Sequence, residues 1–144
     1  MYEDVFERLE RDRVRYVVVG GVAMVLHGCV RATRDLDLVV DRSPAEAARA
    51  THALMSLGFV PTIPLPLAEL VVLSMLDREH RAIDVFARFQ IPFAELWERS
   101  ELVRVGEGVA RVASIPDLIR EKRIYGHPRD LLDVESLLAL PNRG

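Results

Sequence analysis

Cysteine is nearly missing from this chain: Cys29 is the only one among 144 residues. A lone thiol excludes an internal disulfide and leaves a cysteine-based zinc site without its ligands, so Cys29 reads as a small buried apolar side chain. A basic excess is also missing. Lys and Arg number 19 against 22 Asp and Glu, giving a formal net charge of -3 and a pI near 5.8. Nucleic-acid binders carry a basic excess or stripe, and this composition provides no such overall footprint. Long apolar runs are absent as well, since stretches such as 16–19 and 70–76 fall far short of the roughly 20 residues that cross a bilayer. Met1-Tyr2-Glu3-Asp4 places acids where a secretory signal has a basic start, and a cytoplasmic protein without membrane attachment is the expectation. No repeat or low-complexity segment is present.

What remains is the balance of a folded protein, with 50% hydrophobic and 28% charged residues, at a length that suits one domain spanning 1–144. Residues 2–13 place Tyr2, Val5, Phe6 and Leu9 at helical spacing. Tyr16-Val17-Val18-Val19 is a buried strand that stops at Gly20-Gly21, and a short helix over 22–27 follows, ended by Gly28. Ser43 with Glu46 has capping-box spacing and Pro44 fits the first helical position, so the alanine-rich segment to Leu57 is a helix closed by Gly58. Pro61, Pro64 and Pro66 predict a loop. Residues 70–76 and 82–86 read as two strands of a hairpin, 92–99 as a helix, 102–105 and 109–112 as strands around a Gly-Glu-Gly turn, and 116–125 and 129–140 as helices. The irregular alternation points to an α+β fold, a mixed sheet with helices packed on it, ahead of a doubly wound parallel sheet.

Three acids and a glycine turn carry the chemistry. In Asp35-Leu36-Asp37-Leu38 the acids fall two apart on a strand and point to one face. Two hard carboxylates so placed repel each other unless a divalent cation bridges them. Asp84, inside Ile83-Asp84-Val85, is the candidate for a third ligand on a neighbouring strand, completing a site for two metals suited to in-line attack on phosphorus. Gly20-Gly21, at the end of a strand and the start of a helix, allows close backbone approach and offers free N–H groups to a triphosphate. Each feature alone has an ordinary reading: glycine pairs are common in turns, acids on a strand are usually a solvated face, and Asp84 can simply end a hairpin. Together the acids interrupt otherwise apolar strands, where an unpaired carboxylate is costly when buried.

These residues resemble the nucleotidyltransferase superfamily of polymerase-beta-like enzymes, whose signature is a hydrophobic residue, Gly-Gly or Gly-Ser, a gap, Asp-hydrophobic-Asp-hydrophobic, and a later hydrophobic-Asp-hydrophobic. The fuller string Gly20-Gly21-Val22-Ala23, His27-Gly28 and Arg31-Ala32-Thr33-Arg34-Asp35-Leu36-Asp37 is similar to the small bacterial branch of AbiEii-type toxins and lincosamide-type nucleotidyltransferases. Ile115-Pro116-Asp117-Leu118-Ile119 through Lys122, and Arg129-Asp130-Leu131-Leu132-Asp133, resemble that branch's C-terminal helices, so nearly the whole chain is covered. The resemblance implies that Gly20 and Gly21 hold the triphosphate of a nucleoside triphosphate substrate, that Asp35 and Asp37 bind magnesium or manganese ions, and that Asp84 ligates one metal and helps deprotonate an acceptor hydroxyl. Many relatives have serine at the second glycine; here Gly21 leaves only backbone donors.

Arg31 and Thr33 precede the metal strand and are candidates for phosphate contact, against the ordinary reading of solvated loop residues. Lys122 is a candidate to reach a phosphate from the C-terminal helices. His27 is read as a structural hydrogen-bonding residue, Arg129, Asp130 and Asp133 as a charged network anchoring the last helix, and Trp97 with Phe93 as core packing. The expected function is metal-dependent transfer of a nucleotidyl group to a hydroxyl on a protein, an RNA end or a small compound. The alternatives are a toxin-antitoxin component that works by binding a protein partner, and a nucleotide-binding module.

Overall fold

The structure, a computed structural model, describes residues 1–141. Its centre is a seven-stranded mixed sheet in the order β3-β4-β5-β2-β1-β7-β6. The strands are β1 (Tyr16–Val19), β2 (Leu36–Val40), β3 (Val60–Pro61), β4 (Val72–Leu76), β5 (Ala82–Phe86), β6 (Glu101–Val105) and β7 (Gly108–Val112). The helices are α1 (Glu3–Arg11), α2 (Gly20–Leu26), α3 (Pro44–Met55), α4 (Phe93–Arg99), α5 (Ile115–Tyr125) and α6 (Pro128–Leu138). Antiparallel pairs join β1 to β2, β3 to β4, β4 to β5 and β6 to β7, whereas β2 runs parallel to β5 and β1 parallel to β7. This is the mixed α+β arrangement expected from the sequence.

Central position explains composition. Strand β1, with neighbours on both edges, is buried at all four residues, as its unbroken β-branched run requires. In β2 every residue is buried except Asp37, so the one polar interruption is also the one partly exposed position. Helix α1 packs Val5, Phe6 and Leu9 into the core. Just ahead of it, the Tyr2 hydroxyl donates to the Arg34 carbonyl at 2.6 Å and lies 3.4 Å from the Ala82 carbonyl. That contact ties the start of the chain to the points where β2 and β5 begin, and so steadies the two acid-bearing strands.

Several local expectations change. Helix α2 begins at Gly20 instead of Val22, because Gly20 takes a positive φ of 70° and turns the chain from β1 straight into the helix. Ser43 precedes α3 but its side chain makes no capping bond; its backbone N–H donates to Asp41 Oδ1 at 2.8 Å, and Glu46 lies 3.8 Å from Arg15. The capping box is therefore not formed, its carboxylate being drawn to a cation. Pro61 is in β3, a two-residue strand at the sheet's edge, where a missing N–H costs no ladder bond. Residues 67–69 form a short 3-10 helix, and β4 consequently starts at Val72 instead of Leu70. At the C-terminal end Ser114 caps α5 by accepting the Asp117 N–H, and Gly126, at φ 67°, turns α5 into α6.

Candidate active site

Gly20, Gly21, Arg31, Thr33, Asp35, Asp37, Asp84 and Lys122, all the site residues expected from the sequence, line one open, polar cleft of about 570 Å³. Arg34, Glu121, Arg129 and Asp130 complete its wall. The elements that meet there are the β1–α2 junction, the loop into β2, the middle of β5, the last turns of α5 and the first turn of α6.

Register places the acids. Asp37 pairs with Asp84 on the parallel strands β2 and β5, and residues directly opposite on neighbouring strands project to the same face. Asp35, expected on the strand with Asp37, instead lies in the bend just ahead of β2, exposed and lining the same cleft. Ser74 on β4 is the register partner of Asp84 on its other side, and its hydroxyl donates to Asp84 Oδ1 at 2.5 Å. Ser74 thereby fixes one carboxylate oxygen of Asp84, a role that the sequence alone does not reveal, because it depends on strand pairing.

Electrostatics register the crowding of acids. Burial pushes the Asp37 carboxyl up to about 6, and repulsion from Asp84 and Asp35 adds to it, with Lys122 and Arg31 pulling the other way. A raised acid between two others is the condition a bound cation relieves. Among the described residues no three acidic, histidine or cysteine side chains are gathered closely enough to hold a metal ion as they stand. The donor set nevertheless fits a hard divalent cation in kind: Asp37 and Asp84 present carboxylate oxygens on one face, and Asp35, exposed beside them, is the least constrained of the three.

The glycine pair leaves no room for side chains. A Cβ at Gly20 would stand 2.2 Å from Asp37 Oδ2, and one at Gly21 would stand 2.6 Å from Thr33 Oγ1 and 2.7 Å from Arg31 Nη1. Thr33 and Arg31 thus lie directly over Gly21, and Asp37 over Gly20.

Two cations share one carboxylate. Asp133 Oδ2 lies 3.0 Å from Lys122 Nζ and 3.3 Å from Arg31 Nη2, and Asp130 Oδ1 lies 3.7 Å from Lys122. Asp133 Oδ2 makes no conventional hydrogen bond, so these ion pairs account for its buried charge. Of the network expected to anchor the last helix, Asp130 and Asp133 take part, with the cleft's own cations as partners, whereas Arg129 makes no ion pair among the described residues and lines the cleft instead. Glu121 was not legible as a site residue by motif; its spacing three after Leu118, on the buried stripe of α5, is the signal that marks it.

The remaining assignments are structural. His27 is buried, with Nε2 2.7 Å from the Ala113 carbonyl, and does not line the cleft. Trp97 packs 5.9 Å from the Phe93 ring, with the Arg111 guanidinium 4.2 Å over it. Cys29 is buried.

No family model matches this chain, and no curated protein matches it in sequence. Solved structures do. The lincosamide antibiotic adenylyltransferase LnuA, in a lincomycin-bound structure, superposes with a TM-score of 0.70 at 15% identity, covering 96% of this chain and 94% of its own. ANT(2")-Ia, in complex with adenylyl-2"-tobramycin, gives 0.66 at 13% identity, covering 92% of this chain and 83% of its own. A candidate nucleotidyltransferase from Thermotoga maritima gives 0.63 at 16% identity, covering 94% and 86%. The fold of this chain is the nucleotidyltransferase fold.

Proposed function

We propose that this protein is a metal-dependent nucleotidyltransferase that moves a nucleoside monophosphate from a nucleoside triphosphate to a hydroxyl acceptor. The observation that carries the reading is the register pairing of Asp37 with Asp84 on the face that opens over Gly20 and Gly21. The likeness to LnuA, which covers 96% of this chain, supports it too, and a small hydroxyl compound is the acceptor class that this likeness favours.

In this reading the backbone of Gly20 and Gly21, with Arg31, Thr33 and Lys122, receives the triphosphate. Asp35, Asp37 and Asp84 would hold magnesium or manganese, which supplies neutralisation of the charge on the phosphate oxygens. Asp84, held through Oδ1 by Ser74, accepts the acceptor's hydroxyl proton on its other oxygen. The acceptor oxygen forms a bond to the α-phosphorus as the bond to the β-phosphate oxygen breaks, and pyrophosphate leaves. Positioning and charge neutralisation supply most of the rate in such transfers.

Incubation with labelled ATP, GTP, CTP and UTP plus magnesium, with lincomycin, tobramycin or cell extract as acceptor source, tests this. Label transfer that is lost in Asp35→Asn and Asp37→Asn, with thermal unfolding still cooperative, is the expected result; transfer unaffected by either change would remove the metal assignment. A second reading, a toxin-antitoxin component acting through a protein partner, is favoured by the exposed apolar residues Ile124, Tyr125, Leu131, Leu132 and Leu138 on α5 and α6. Absence of transfer with every nucleotide, together with a co-purifying protein from the native host, would favour it.

A further inference from the structure

One buried acid of the cleft has no partner among the described residues. Glu121 is 7% exposed, lines the cleft beside Lys122, and makes no hydrogen bond or ion pair among the described residues; its Oε2 is buried without a partner. The adjacent cation does not supply one, because Lys122 Nζ is committed to Asp133 at 3.0 Å and Asp130 at 3.7 Å. Burial raises the Glu121 carboxyl to about 7, with Lys122 opposing and Asp37 and Asp130 reinforcing the shift. A buried, unpaired carboxyl works against the fold. Such a group on a cleft wall fits a ligand that brings the missing donor.

We propose that Glu121 is a specificity-determining residue of this cleft, its carboxyl accepting a hydrogen bond from a hydroxyl or amine of the bound ligand. The inference rests on the nucleotidyl-transfer reading. It excludes anionic groups from that part of the cleft: phosphates belong with Arg31 and Lys122, and the portion facing Glu121 is uncharged or cationic. The donor comes from one of two sources, the ribose of the nucleotide or the acceptor itself, and both satisfy the same carboxyl.

Two measurements decide it. The first is thermal unfolding of the ligand-free protein at pH 8: Glu121→Gln and Glu121→Leu are expected to unfold at or above the wild-type temperature, and a clear drop in both would show a structural role and overturn the proposal. The second is calorimetric binding of ATP, 2'-deoxy-ATP and 3'-deoxy-ATP with magnesium, alongside label transfer titrated against cell extract. A ribose donor predicts that wild type prefers ATP over one deoxy analogue by about tenfold, the scale of a lost hydrogen bond to a charged group, and that Glu121→Leu loses the preference. An acceptor donor predicts unchanged ATP affinity and about tenfold more extract needed for half-maximal transfer. Unchanged binding and unchanged transfer in both variants would overturn the proposal. Should the wild type bind no nucleotide, the nucleotidyl-transfer reading fails, and the unfolding measurement alone then decides whether Glu121 is held at a cost to the fold.

Discussion

Asp37 Oδ2 occupies the space that a side chain at Gly20 would need: a Cβ there would lie 2.2 Å from it, on a backbone at φ 70°. The glycine turn and the cleft-facing acid are therefore one device. The chain can reverse from β1 into α2 this close to β2 only without a Cβ, and the same emptiness lets the acid face the cleft.

Gly20→Ala is accordingly expected to damage both stability and activity. The left-handed backbone costs a non-glycine residue about 1–2 kcal/mol, and the displaced Asp37 carboxylate loses its position. Thermal unfolding should show a fall of several degrees, and label transfer should fall at least about tenfold, because misplaced catalytic groups lose rate steeply. Wild-type transfer in the alanine variant would separate Gly20 from Asp37.

Stability of the ligand-free protein should decline as pH rises from about 4 to about 7. Asp37 has its folded value raised from 3.8 to about 6, and Glu121 from 4.5 to about 7. In that window the folded state holds more protons than the unfolded state, so raising the pH favours unfolding. Both penalties are absent at the acidic end and complete above pH 7. Carboxylates lowered by Arg81, such as Asp4, act in the opposite sense, but below this window. Melting temperatures across pH 4 to 8 should slope downward in wild type and flatten in Asp37→Asn and Glu121→Gln. Magnesium added at pH 8 should recover part of the loss in wild type and none in Asp37→Asn.

Asp133→Ala should weaken the protein more than its position on the last helix suggests. It removes the carboxylate shared by Arg31 and Lys122, leaving two cations without their closest counter-charge; breaking such a buried pair costs about 3 kcal/mol. Nucleotide affinity should fall along with stability, since both cations lose the group that holds them in the cleft. Unfolding and ATP binding measured together check this: a stability loss with unchanged ATP affinity would show that Asp133 anchors α6 and has no part in placing the cations.

Strand β1, helix α1 and the α5–α6 pair follow from local pattern, because period, β-branching, proline and glycine are properties of a few adjacent residues. The spacing of Gly20, Gly21, Asp35, Asp37 and Asp84 was equally legible, Asp37 and Asp84 being interruptions in apolar strands and Asp35 standing in the bend just before one. Sequence by itself determined which side chains have the chemistry. Tertiary structure alone decided which of them meet: the parallel pairing of β2 with β5 sets Asp84 opposite Asp37, β4 brings Ser74 against Asp84, and the turn at Gly126 returns α6 so that Asp133 holds Arg31 and Lys122. Register, handedness of a turn and the return of a helix are relations between distant segments, fixed by how the whole sheet and its cover bury apolar surface. Glu121 is the clearest case, since a helical period can mark it as inward but only the packed fold shows that no described residue receives it.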